Sequence, residues 1–404
     1  MNSDFLPHRG QGQNTHHIQP SASPSPTNSN SGPQFHEGGG FSSHHKPPKK
    51  SLKEWLRHLT KKQWAILITV AVLVLGGIGF GVYSIWLKDD TKPVTKKQTT
   101  KKETPKPTPE PLTSTLTGLP IADASINDRP VTGIMIENSR DARPQSGLTD
   151  AGVVFEAIAE GGITRFLTLW QDTDSDYIGP VRSVRPYYVQ WLMGFDGAIA
   201  HAGGSGDALA MIKNLNVKDL DQFHNSGAYW RVSSRYAPHN LYTSTAKLHE
   251  LEAKKGFGKA NYTGFARKKE APTAAPTART IDFNISGALY NSHYDYDAAT
   301  NSYLRSVGGA PHKDERSGAQ IAAKAVVGLV MPQGKNGIYT TYNTLGSGRA
   351  YIFQDGVVAV GNWYKDSNTS QFTFKDDGGA ELKLNPGKTW LTIVGGTDRI
   401  TYNP

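Results

Sequence analysis

An uninterrupted apolar run at residues 64–87 places the strongest constraint on this chain. The run contains no charged residue, and at about 1.5 Å per residue a helix of this length crosses a hydrocarbon layer of about 30 Å. Trp64, Tyr83 and Trp86 lie near its ends, where aromatic rings favour the membrane interface. The run therefore predicts a single transmembrane helix.

The surroundings of this run favour a retained anchor over a cleaved signal peptide. Residues 1–63 precede it, and Lys88, Asp89 and Asp90 follow it instead of the small residues of a cleavage site. The basic cluster in the juxtamembrane segment 51–63 is slightly denser than the one after the run, which favours a cytoplasmic N-terminus. We therefore expect a single-pass protein of the cell membrane with an extracytoplasmic C-terminal body.

Composition defines the segments on either side of the predicted helix. Residues 1–50 have almost no apolar side chains, so they cannot bury enough surface to order themselves and are predicted to be disordered. Residues 88–111 alternate Lys, Thr, Pro and Glu, which is typical of a stiff, extended linker. Much of the net charge of +9 lies in lysines flanking the helix, where they face anionic lipid headgroups, so no nucleic-acid partner is expected.

The chain becomes globular in composition at about residue 112. Residues 112–266 predict a mixed α/β (α+β) domain, with strands at 131–137, 153–159 and 163–170 and a helix at 186–195. Residues 267–279 are rich in Pro, Ala and Lys and are predicted to form an interdomain linker. Residues 280–404 contain short alternating runs between Gly-rich turns, which predicts a mostly β domain. One helix is expected there, at 317–325.

Polar side chains are concentrated in four places in the first domain, and several are arginines. Arg182 and Arg185 precede a predicted helix, whose free N–H groups also attract anions. Guanidinium groups suit phosphate or carboxylate ligands. The candidate anion-binding or ligand-binding residues are Glu137, Glu160, Arg165, Arg182, Arg185, His201, Ser205, Arg231 and His239. Structural ion pairs with the glutamates, and histidines that only order loops, are the alternative interpretation.

The sequence lacks the common catalytic patterns. There is no cysteine, which excludes disulfides, thiol catalysis and lipid attachment at a cysteine. No phosphate-binding loop or nucleophile elbow occurs. His312 and Asp314 could ligate a metal, but a surface turn is favoured, so neither a metal nor a cofactor is expected. Whether the protein is an enzyme stays open.

The order of several motifs resembles that of YerB-like proteins over about residues 112–404. The motifs are LTGLP at 116–120, IMIEN at 134–138, ARPQSGL at 142–148, EGGITRF at 160–166, IGPVRS at 178–183, HAGGS at 201–205, APHNLY at 237–242, GGAPH at 308–312 and LNPGKTW at 384–390. The resemblance implies a bacterial, extracytoplasmic, membrane-attached protein with two domains of unknown function. Many members are lipoproteins, whereas this chain has no cysteine for a lipid.

Two functions remain open on these grounds. The first is a non-catalytic envelope protein that binds a cell-wall polymer or an envelope protein. The second is an envelope enzyme acting on a phosphorylated or glycosidic polymer, with Arg165, Arg182 and Arg185 on the anion. The second arrangement is loosely similar to the arginine-lined pocket of the LytR-CpsA-Psr phosphotransferases, although no motif is shared. Substrate, partner and oligomeric state do not follow from the sequence.

Overall fold

The computed structural model describes residues 60–62, 64 and 111–404. Lys61, Lys62 and Trp64 are helical, and Trp64 N donates to Thr60 O at 3.0 Å. The predicted tail at 1–50, most of the basic segment at 51–63, the membrane helix beyond Trp64 and the linker at 88–110 lie outside the described residues. Among the residues that are described, none of the helices has the length and apolar character needed to cross a membrane.

The compact unit Pro105–Pro404 contains three α-helices and nineteen strands within its described part. The helices are α1 (Pro186–Met193), α2 (Gly206–Asn214) and α3 (Thr245–Lys254). The strands of the N-terminal part are β1 (Thr132–Glu137), β2 (Val153–Glu160), β3 (Ile163–Trp170), β4 (Ala198–Ala200), β5 (Trp230–Arg231) and β6 (Leu241–Tyr242). Short 3-10 helices occupy Ala124–Asp128, Arg140–Ala142, Ser226–Ala228 and Thr397–Arg399.

The C-terminal part is built of strands. They are β7 (Thr280–Phe283), β8 (Ser292–Asp297), β9 (Ser302–Val307), β10 (Ala310–Pro311), β11 (Ala322–Ala323), β12 (Ala325–Val330), β13 (Gln333–Asn336), β14 (Tyr339–Tyr342), β15 (Gly346–Gln354), β16 (Val357–Lys365), β17 (Thr373–Lys375), β18 (Thr389–Val394) and β19 (Ile400–Asn403). A mixed α/β N-terminal part and a mostly β C-terminal part agree with the sequence prediction.

Local sequence accounts for the helix boundaries. Pro186 occupies the first turn of α1, where its missing N–H costs nothing. The hydroxyl of Ser205 accepts from Ala208 N and caps α2, as serine commonly does at this position. Ser244 caps α3 in the same way through Lys247 N.

One eleven-stranded sheet contains strands from both parts of the chain. Its order is β17-β16-β15-β12-β18-β2-β3-β1-β4, with β13 and β14 paired off this path. β18 lies parallel to both β12 and β2, and all six of its residues are buried, as expected of a central parallel strand. The predicted boundary at 267–279 therefore does not separate two independent sheets.

The eleven-stranded sheet is covered on both faces. On one face Tyr187, Trp191 and Leu192 of α1 pack against Phe155 and Leu167. On the other face lies the six-stranded sheet, ordered β10-β9-β8-β7-β19 with β11 paired to β9. The two sheets approach closely at Gly328, where an added Cβ would lie 2.6 Å from Ile400 Cδ1 and 2.9 Å from the Phe283 ring.

The predicted helix at 317–325 is wrong. Asp314 Oδ1 accepts from the backbone N–H groups of Arg316 and Ser317, which forms a turn. Gly318 then takes φ +66°, which ends any helical conformation. The following residues form β11 against β9 and the start of β12, because pairing with neighbouring strands overrides local helix propensity there.

Candidate anion-binding site

One end of the larger sheet brings the candidate arginines and glutamates near one another. β1 ends at Glu137, β2 ends at Glu160, and Glu137 lies opposite Arg165 in the β1–β3 register. The segment containing Arg182 follows β1 closely, because Arg182 N donates to Met135 O at 2.9 Å. Within this end of the sheet the side chains divide into two clusters around two glutamates.

The Glu160 cluster consists of Glu160, Arg165, Arg185 and Tyr339. Arg165 forms an ion pair with Glu160 Oε1, and Arg185 Nη2 lies 2.5 Å from Glu160 Oε2. The second terminal nitrogen of each arginine, Nη1, donates to a backbone carbonyl. Arg165 Nη1 lies 3.1 Å from Ser183 O, and Arg185 Nη1 lies 2.7 Å from Val184 O. Both arginines are nearly fully buried, and Arg185 also lies 4.7 Å from the centre of the Tyr339 ring.

These contacts make the Glu160 cluster a closed structural unit. Burial, followed by the nearby charge of Arg165, lowers the pKa of the Arg185 guanidinium. Two guanidinium groups share one carboxylate through one terminal nitrogen each, and the other terminal nitrogen of each donates to a carbonyl, so every terminal nitrogen already has a partner within the protein. The structural interpretation of Arg165, Arg185 and Glu160 therefore fits the geometry better than direct ligand binding.

The Glu137 cluster consists of Glu137, Ser139, Arg182 and His239, and it is open to solvent. Buried Glu137 lies 3.2 Å from Arg182 Nε and 2.9 Å from His239 Nδ1, and it accepts from Ser139 Oγ at 2.9 Å. The side chains of Arg182 and His239 are 27% and 23% exposed. Within the part of the chain that the structure describes, neither the terminal nitrogens of Arg182 nor His239 Nε2 has a hydrogen-bond partner.

A hydrogen-bonded chain supports Glu137 from the far side of the sheet. Gln145 Nε2 donates to Glu137 O at 2.9 Å, and His312 Nε2 contacts Gln145 Oε1 at 2.8 Å. Arg305 Nε donates to His312 Nδ1 at 3.1 Å. Burial and the charge of Arg305 lower the pKa of His312 well below its usual value, which fits a neutral ring that accepts from one partner and donates to the other.

The sequence predicted a surface turn at His312, and this prediction is wrong. The His312 side chain is buried between the two sheets. No group of three or more His, Cys, Asp or Glu side chains in the described ranges could hold a metal ion. Local sequence could not reveal the position of His312, because its partners Gln145 and Arg305 are brought to it by the packing of two sheets.

His201 and Ser205 lie on a loop that pairs with the Arg182 segment, since Ala202 N donates to Arg182 O at 3.1 Å, but their side chains bond within their own loop. The His201 ring is buried, with Nδ1 2.8 Å from Gly203 O and Nε2 3.0 Å from Asp219 Oδ1. Ser205 caps α2. Because both ring nitrogens of His201 face acceptors within the protein, the ring orders the loop and offers no nitrogen to a ligand.

Arg231 contributes to the Glu137 cluster indirectly. Its Nη1 donates to Asn240 Oδ1 at 2.7 Å, and Asn240 Nδ2 in turn donates to the backbone carbonyls of Val232 and Arg235. These bonds order the loop between β5 and β6, which carries His239. At the tip of this loop Tyr236 is 92% exposed, and its carbonyl accepts from His239 N at 2.9 Å.

Comparisons with known proteins relate this chain to one family of proteins, through its sequence and through its fold. Two family models match the chain, described as "Protein of unknown function (DUF3048) N-terminal domain" over residues 116–258 and "Protein of unknown function (DUF3048) C-terminal domain" over residues 281–391. The curated protein "Putative lipoprotein YerB" of Bacillus subtilis is 31% identical over 293 residues, which cover 69% of this chain and 85% of that protein. The crystal structure of YerB protein from Bacillus subtilis matches with a TM-score of 0.66 and 27% identity, over 72% of this chain and all of the solved chain.

Proposed function

This chain belongs to the DUF3048 family, and we propose that it is a membrane-attached, extracytoplasmic cell-envelope protein that binds an anionic group of an envelope component. Its relative in Bacillus subtilis carries a name that denotes a lipoprotein. The present sequence holds no cysteine, so we assign the anchoring to the apolar run at residues 64–87. The N-terminus would lie in the cytoplasm and the folded part outside.

The observation that carries the proposal is the geometry of the Glu137 cluster. One buried carboxylate hydrogen-bonds His239 Nδ1 and forms an ion pair with Arg182, whose Nε lies 3.2 Å from Oε1 without hydrogen-bond geometry. Within the described residues, the terminal guanidinium nitrogens of Arg182 and His239 Nε2 have no hydrogen-bond partner. A guanidinium held in this way presents two parallel N–H donors, which match the oxygens of phosphate or carboxylate. Exposed Tyr236 on the adjoining loop offers a ring face for the rest of a polymer.

Isothermal titration of the full-length protein in detergent with a soluble glycerol phosphate polymer tests this proposal. Arg182→Gln should weaken binding about tenfold to a hundredfold, because a hydrogen bond to a charged group contributes about 1.5–3 kcal/mol. Arg349→Gln is the matched control, since Arg349 pairs with Asp377 at an exposed position on β15. Equal binding by wild type and Arg182→Gln would refute the site.

The same cluster gives a specific reason to consider an enzyme as the second candidate. Glu137 orients His239 through Nδ1, which is the arrangement of an imidazole that takes a proton at Nε2. An anion held by Arg182 would place an attacking water or hydroxyl beside that nitrogen. The proposed reaction class is hydrolysis or transfer on a phosphorylated polymer.

Turnover assays separate the two candidates. If the protein is an enzyme, His239→Gln should abolish release of product from the glycerol phosphate polymer while binding is largely retained. If it is a binding protein, the wild type should bind the polymer and leave its chain length unchanged in gel analysis after prolonged incubation.

A further inference from the structure

A second polar site lies away from the Glu137 cluster, in a recess of about 520 Å³ beside helix α3. Thr245, His249 and Glu252 of α3 line one side of the recess. They share one helix face because they are spaced three and four residues apart. Arg129 and Asp174 also line the recess, and Phe257 contributes an apolar side chain to it.

Two buried polar atoms in the lining of this recess lack partners. Glu252 is completely buried, and its Oε1 accepts from Thr132 Oγ1 at 2.7 Å. Its second oxygen, Oε2, has no hydrogen bond within the described part of the chain, and neither has His249 Nε2. Buried side-chain polar atoms are nearly always hydrogen-bonded, so an unpaired carboxyl oxygen and an unpaired imidazole nitrogen on residues that line one recess point to a ligand that binds there.

The charges around the recess favour a cationic ligand. Arg129 is the one arginine of the lining, and it is already paired with Asp174, with 3.2 Å between Nη1 and Oδ2. The Glu252 carboxyl adds a second acidic group without a cationic partner in contact. No set of three or more carboxylate and imidazole ligands for a metal occurs in the described residues, which favours an organic cation over a metal ion.

We propose that this recess binds the ammonium group of a small primary amine, with Glu252 Oε2 as the main acceptor and His249 Nε2 as a second one. Phe257 and Pro130 would contact the body of the ligand. An aliphatic amine, such as the end of a lysine-like side chain, and an amino sugar both carry this group. The recess is separate from the Glu137 cluster, so this inference does not depend on the anion-binding proposal.

The titration of Glu252 gives the binding a defined pH dependence. Burial raises the pKa of Glu252 to about 7, against the opposing effects of the Thr132 hydrogen bond and the charge of Lys218. Burial lowers the pKa of His249, which leaves its ring neutral at pH 8. The other titratable groups near Glu252 are Arg129 and Asp174, which line the recess, and Tyr229, whose pKa is raised by burial and also by the charges of Asp221, Asp219 and Glu252. An aliphatic ammonium should therefore bind more tightly as the pH rises through about 7 and Glu252 loses its proton.

Titration calorimetry of the full-length protein in detergent with n-butylamine at pH 8 tests the proposal. Glu252→Gln, which keeps the shape of the side chain, should weaken n-butylamine binding at least tenfold and remove the increase in affinity between pH 6 and pH 8. Glu250→Gln is the matched control, because Glu250 lies on the exposed face of the same helix and pairs with Lys254. It should bind as the wild type does.

Two additional ligands and one additional variant identify the class of amine that binds and control for misfolding of Glu252→Gln. D-glucosamine at pH 7 distinguishes an amino-sugar site from an aliphatic one, and n-butanol lacks the ammonium group and should not bind. Ala246→Trp blocks the recess from an exposed helix position, so it should abolish binding even if Glu252→Gln folds poorly. Wild-type protein that binds neither amine, or a folded Glu252→Gln protein that binds n-butylamine as tightly as wild type, would overturn the proposal.

Discussion

At the scale of single residues, the ion pair between Glu156 and Arg305 joins the two sheets. Both side chains are 0% exposed, and Arg305 Nη2 lies 2.9 Å from Glu156 Oε1. Trp390 Nε1 donates to the other carboxyl oxygen at 3.1 Å, and the Arg305 guanidinium lies 4.5 Å from the centre of the Trp390 ring. Burial raises the pKa of Glu156, while Arg305 opposes this shift. The pair is therefore fully enclosed, and each charge depends on the other.

Removing one charge of this pair should destabilise the fold strongly. Glu156→Gln leaves the Arg305 guanidinium buried without a counter-ion, for which we expect a loss of about 3–5 kcal/mol in the free energy of unfolding. Urea unfolding followed by tryptophan fluorescence measures the difference. The exposed pair Arg349–Asp377 provides the control, since Asp377→Asn should cost no more than about 1 kcal/mol. Similar losses in the two variants would contradict this account of the buried pair.

Individual residues also show how far the sequence alone could predict the candidate site. The sequence predicts Glu137, Arg182 and His239 as candidate site residues, because their motifs combine charge with turn residues. The partners of each side chain could not be predicted in this way. Glu156, for example, pairs with Arg305, which is 149 residues away in the chain. Sheet packing decides such contacts, and one chain without its fold carries no local sign of them.

At the scale of elements, local patterns were sufficient for the three longest strands of the N-terminal part, β1, β2 and β3. The predicted strands at 153–159 and 163–170 correspond to β2 and β3, joined at Gly161 and Gly162, which both have positive φ. The position of β18 between β12 and β2 was not predictable, because parallel partners are chosen over long sequence separations. β2 and β18 are more than 200 residues apart, and their pairing depends on the complete sheet.

The contact between the two sheets at Gly328 gives a prediction at this scale. Gly328→Ala places a methyl group 2.6 Å from Ile400 Cδ1 and 2.9 Å from the Phe283 ring, so the sheets must separate locally. We expect a loss of about 1–3 kcal/mol in unfolding free energy, as for other overpacked cores. Gly287→Ala, where an added Cβ meets no atom within 4 Å, should have little effect. Chemical denaturation of both variants distinguishes tight packing from a loose interface.

At the scale of the whole molecule, the two parts matched by separate family models share the hydrophobic core on each face of the larger sheet. Trp390 of β18 packs edge-on against Phe166 of β3 at 5.2 Å between ring centres. The core beside α1 likewise includes Phe155 and Trp191 from the N-terminal part and Ile352 and Trp363 from the C-terminal part. Such a shared core should unfold as one cooperative unit rather than as two domains.

Truncation of the chain tests this cooperativity directly. A protein ending at residue 266 retains β1–β6 and all three α-helices, but it loses β18, so β2 becomes an edge strand with its apolar side chains uncovered. It should show no cooperative thermal transition in circular dichroism, although it contains the whole first family match. A protein ending at residue 399 lacks only β19, at the border of the smaller sheet, and should retain a cooperative transition at reduced temperature. A sharp transition in the shorter protein would instead mean that the N-terminal part is stable without the strand that joins the two parts.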